Sequence, residues 1–116
     1  MSLLTEIKTL LSGVSNVKIG TMPDTPDNSV ALYNTGGYTR DLSGSMIRQP
    51  TFMVKVRNAD YASGETVCST IANTLHGVHG TGNFLLIAQE GDIQDLGRDE
   101  SNRQEWTLNF RCYYKA

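Results

Sequence analysis

The sequence predicts an α+β fold: a single mixed or mostly antiparallel sheet of about five strands with two helices packed on it, and a long loop and a long β-hairpin protruding. Two stretches repeat their apolar residues at helical spacing, and several shorter ones alternate or run continuously apolar. No internal repeat or linker divides the chain, and 116 residues form one domain over 1–116 that can bury a core of two helices against a sheet.

The first helix is read from Leu3, Leu4, Ile7, Leu10, Leu11 and Val14, which make one apolar stripe and run out at Gly13. Val17-Lys18-Ile19-Gly20 and Val30-Ala31-Leu32-Tyr33 are short strands. Between them, Met22 to Asn28 holds two prolines and three Asp or Asn residues, which is turn chemistry. From about 34 to 50, glycines and serines without a sustained period predict a long loop. Thr51 to Arg57 alternates, with Phe52, Val54 and Val56 on one face, as in a half-exposed strand. Asn58 or Asp60 caps the second helix, whose face is Tyr61, Val67, Cys68, Ile71, Ala72 and Leu75, and Gly77 supplies its left-handed stop.

Phe84 to Ala88 is continuously apolar, as in a strand covered on both faces. Trp106, Leu108, Phe110, Cys112 and Tyr114 alternate with polar neighbours and make the clearest strand, with Trp106 in the core and Tyr113 on the opposite face. Between these two strands, about 91 to 104 reads as a long acidic hairpin tip.

Charge argues against one large class of partner. The net charge of -2 and pI near 5.6 lack the basic stripe that neutralises phosphates, so tight sequence-specific nucleic-acid binding is not expected. From Glu90 to Glu105, six carboxylates face two arginines, a local balance of -4. Cys68 and Cys112 both fall on apolar faces, where a thiol packs as a small hydrophobe and a reducing compartment suits it. With no signal-peptide pattern and no run of about 18 apolar residues, the expected product is unprocessed, made in the cytosol and without a membrane span.

Catalytic, cofactor and metal motifs are not expected. His76-Gly77-Val78-His79 resembles a metal pair, but Gly77 breaks the helix between the histidines and no third ligand follows at short spacing. Gly77, Gly80 and Gly82 close a helix, whereas a phosphate loop opens one. Asp92 to Gly97 lacks the carboxylate ladder of a calcium loop.

These elements carry a family resemblance over nearly the whole chain. The opening helix from Leu3 to Leu11, Val17-Lys18-Ile19-Gly20, Met22-Pro23-Asp24, Asn28-Ser29-Val30-Ala31-Leu32, Gly36-Gly37, Thr51 to Arg57 leading into the helix from Tyr61, and Asn109 to Tyr114 resemble bacteriophage minor capsid proteins. Those are themselves similar to the tail terminators of long non-contractile-tailed phages. The resemblance implies a virion protein without active-site residues. It also implies a homo-oligomeric ring, commonly a hexamer, that caps the tail tube protein and meets a head-tail connector or completion protein.

For such a ring we expect contacts between subunits at Arg57, Arg111 and Tyr113 on the outer sheet face and at Tyr38, Arg40 and Met46 in the loop. The acidic tip, with Asp92, Asp95, Asp99 and Glu100, then lines the DNA passage or meets a basic partner. Rival expectations are a non-phage interaction module or adaptor, which binds a peptide at a sheet edge, and a small hydrolase using His76, His79 or Cys68.

Overall fold

The structure is a computed structural model, and it describes residues 3–38 and 47–115. Helix α1 (Leu3–Leu10) leads to strand β1 (Val17–Ile19), followed by β2 (Ser29–Tyr38) and β3 (Ile47–Asn58). Helix α2 (Tyr61–Leu75) comes next, and β4 (Phe84–Arg98) and β5 (Gln104–Lys115) complete the chain. The strands form an open mixed sheet in the order β1-β2-β3-β5-β4, with β1 parallel to β2 and every other neighbour antiparallel. Because β3 and β4 both oppose β5, they run the same way, and α2 is the crossover between them.

The alternation read from the sequence decides which sheet face is covered. Val30 and Leu32 on β2, Phe52, Val54 and Val56 on β3, and Trp106, Leu108, Phe110 and Cys112 on β5 join Ile7, Leu11, Ile71 and Leu75 of the helices in one buried cluster. Phe52 and Phe110, paired in register, stack with ring centroids 5.1 Å apart. Asp60 is the helix cap: its carboxylate accepts from the Ser63 N–H at 2.9 Å and from the Ser63 hydroxyl at 2.6 Å. Gly77 follows the last turn with φ +85°, the conformation a glycine adopts without a Cβ penalty.

Two expected loops are largely strand. The segment expected to loop from about 34 to 50 is β-sheet at Asn34–Tyr38 and again from Ile47, so only 39–46 separates the strands, outside the described residues. A bulge between Asn34 and Gly36 and the missing N–H of Pro50 hid this pairing, since both interrupt the alternation. The acidic hairpin tip shrinks in the same way. β4 continues to Arg98 and β5 begins at Gln104, leaving 99–103 as the turn. Bulges between Glu90 and Gln94 and between Asp95 and Gly97 let a polar, glycine-bearing segment stay paired with β5.

Candidate functional site

The sheet has two chemically different ends. At one, β2 and β3 run on as an arm alongside the last residues of β5, where Arg48 pairs in register with Tyr114 and Thr51 with Arg111. Gly37 makes the arm possible, because at φ +142° its α-carbon lies against β3, where a Cβ would sit 2.4 Å from the Gln49 carbonyl oxygen. On the outer face of this end, the Arg111 guanidinium lies between two tyrosines, 5.1 Å from the Tyr38 ring centroid and 5.6 Å from that of Tyr113. Tyr38 is half-exposed, and its hydroxyl donates to Glu90 at 3.2 Å.

Arg111 Nε is buried and has no hydrogen-bond partner. Arg48 also stacks on a tyrosine, but a single one and on the core-facing side: its guanidinium stands 5.2 Å from the ring of the buried Tyr114, and its Nε is likewise buried without an acceptor. The structure therefore brings Tyr38, Arg111 and Tyr113 together as one aromatic and cationic cluster on the outer face, while Arg48, which the expected loop had concealed, packs on the core residue Tyr114 on the other face of the same end. Arg40 and Met46 lie outside the described residues.

The opposite end is acidic, and much of its charge is engaged. Asp99 accepts from the Arg103 backbone N–H at 2.9 Å and pairs with Arg103 Nε at 2.8 Å. Those contacts, the backbone bond first, hold its carboxyl below the usual range. Arg103, buried at 9% exposure, also donates to the Asp24 carbonyl at 2.7 Å and pairs with Asp27 at 3.3 Å. It thus ties the β4–β5 turn to the loop between β1 and β2. Asp95 accepts from the Tyr61 hydroxyl at 2.7 Å, from the Gly97 N–H at 2.8 Å and from Gln104 Nε2, and its carboxyl too is held low, chiefly by the tyrosine. Glu100 remains exposed in this turn, and Asp92 is exposed midway along β4, between Glu90 and Gln94, which pair with Asn109 and Thr107.

Arg57 corrects the expectation that it lies on an open outer face. It is 4% exposed, and its guanidinium donates to the carbonyl oxygens of Pro23, Asp24, Pro26 and Asp27 at 2.5 to 3.3 Å. The loop folds over this side of β3 and turns its carbonyls inward. A planar cation with five donors satisfies them where no sheet partner can.

The residues of the hydrolase reading are also committed to structure. Burial pushes the Cys68 and Cys112 thiols up to about 12, which leaves them protonated and poorly nucleophilic at neutral pH. His76 Nδ1 accepts from the Gln89 N–H at 3.0 Å. Gly77 N–H and the Val78 carbonyl bond Ile87 in the same stretch, so the loop after α2 covers part of the β4 edge. His79 Nδ1 lies 3.0 Å from the Gly77 carbonyl.

This fold recurs in a chain of a solved structure described as the virion of a native gene transfer agent particle, with a TM-score of 0.63 over 95% of this chain and 84% of that one at 12% identity. No curated protein matches the sequence. A family model of phage structural tail proteins matches nearly the whole chain and defines its class. The family model described as bacteriophage tail terminator protein matches residues 4–115, and the chain belongs to that family. No helix among the described residues is long and apolar enough to cross a membrane.

Proposed function

We propose that copies of this chain form a closed ring, hexameric in number, that caps the tail tube, stops its polymerisation and joins it to the head connector without catalysing a reaction. The family match over residues 4–115 carries this reading. The geometry supports it: a helix-backed sheet extends into an arm that carries the stacked Arg111 cluster on its outer face, and the turn at the other end presents exposed Glu100. A ring needs two different patches on one subunit that fit each other when repeated by rotation. The exposed acidic residues meet a basic partner surface.

The test is light scattering and negative-stain microscopy of the protein alone and mixed with purified tail tubes. Rings at the tube ends and tubes of fixed length are the expected result. A protein that stays monomeric beside tubes that keep growing would sink the proposal.

A further inference from the structure

Arg111 is a cation in an unusual state. Its Cζ lies over both the Tyr38 and the Tyr113 rings, its Nε is buried without an acceptor, and no ion pair of Arg111 occurs among the described residues. The neighbouring carboxylate, Glu90, takes the Tyr38 hydroxyl instead. A ring contact does not use a guanidinium's N–H groups, and those groups are the part that recognises a carboxylate with two parallel hydrogen bonds.

The same chain supplies such a carboxylate at the other end of the sheet. Asp95 and Asp99 are held by Tyr61 and Arg103, and Asp92 already takes the Ile93 N–H, whereas Glu100 is exposed in the turn between β4 and β5. Arg111 and the start of β5 at Gln104 are seven residues apart on one strand, roughly 23 Å at about 3.3 Å per residue. Glu100, just beyond that start, cannot fold back onto Arg111 of its own chain.

We infer that the Tyr38–Arg111–Tyr113 cluster is the receiving half of a head-to-tail contact with a second copy of this chain, whose Glu100 carboxylate docks on the Arg111 guanidinium. The inference rests on the ring reading above and names the two patches that repeat around it. Each subunit gives its acidic turn to one neighbour and its stacked arginine to the other, so the contact is heterologous and closes by rotation.

Charge reversal tests the pair, with assembly on tail tubes read by light scattering and microscopy and folding read by circular dichroism. Arg111→Glu and Glu100→Arg should each raise the concentration for half-assembly at least about tenfold, and the chain carrying both changes should regain most of the wild-type assembly. Glu100→Arg lies in an exposed turn, which keeps the test open even if Arg111→Glu folds poorly; Arg111→Gln then replaces it. Wild-type-like rings from Glu100→Arg overturn the contact and leave the ring standing, and the same result without rescue in the double variant assigns Arg111 to another partner. A wild-type protein that forms no rings on tubes overturns both readings.

Discussion

Gly64 has no side chain because Trp106 occupies the space one would need: a Cβ there would lie 2.1 Å from the indole. Helix α2 approaches β5 closely at this point, and Trp106, 2% exposed, also packs against Tyr61 at 5.4 Å between ring centroids. Gly64→Ala raises helix propensity yet forces this contact apart, and we expect a net loss of about 1–3 kcal/mol in urea unfolding. A more stable variant would show that the helix can shift outward at little cost.

The carboxylates Asp60, Asp95 and Asp99 set a second expectation for single residues. Each has its pKa lowered in the folded chain, by the Ser63 hydroxyl, the Tyr61 hydroxyl and the Arg103 N–H in turn as the largest cause. A folded pKa below the unfolded value gives stability that is complete above the ordinary carboxylate value of 3.8. That stability falls as the pH drops through 3.8 and continues to fall until the depressed values are passed. Urea unfolding from pH 7 to pH 2 should show this acid-side loss, with a shallower fall in Asp99→Asn than in the parent.

At the scale of elements, two arginines fix the loop between β1 and β2. Arg57 fills it with donors from beneath, and Arg103 joins it to the β4–β5 turn. Arg57→Met keeps much of the stem but leaves the loop carbonyls without the guanidinium donors, at a cost of about 1–3 kcal/mol. Hydrogen exchange should quicken in residues 20–28 before it does in β3. An unchanged exchange rate there would mean that water replaces the guanidinium freely.

The edges of the sheet are also managed by short pieces of chain. Gly77 and Val78 cover Ile87 on β4, and His76 takes the Gln89 N–H, which removes part of the unpaired edge that a 15-residue outer strand would otherwise offer. The histidine at the helix end therefore has a partner that spacing along the chain could not reveal, thirteen residues away.

Over the whole molecule, the stacked arginines lie at the arm, Glu100 is exposed in the opposite turn and Asp92 is exposed midway along β4. Neutralising all four expected acidic residues would damage the fold, because Asp95 and Asp99 hold the turn and α2 in place. Asp92→Asn with Glu100→Gln is the cleaner variant. It should keep the parent's thermal unfolding within about 0.5 kcal/mol, as surface changes usually do, while weakening attachment to tail tubes. Attachment at the parent's level would remove both carboxylates from the docking surface.

The element order was legible in the sequence because apolar periodicity is a local property that each segment carries alone. Phe52, Val54 and Val56, the stripe from Cys68 to Leu75 and the alternation from Trp106 to Tyr114 all face the core as their spacing requires. The tail terminator family was legible too, since it lies in that order and in the turn chemistry around Pro23 and Gly36. Strand ends were not, because pairing across bulges at Thr35, Gly91 and Leu96 is decided by the neighbouring strand. Tertiary structure alone decided which charges are free. Arg57 and Arg111 both fall on the outward phase of alternating strands, yet one is closed over by loop carbonyls and the other is stacked on two tyrosine rings, because a charged side chain is defined by the partners that the fold brings to it.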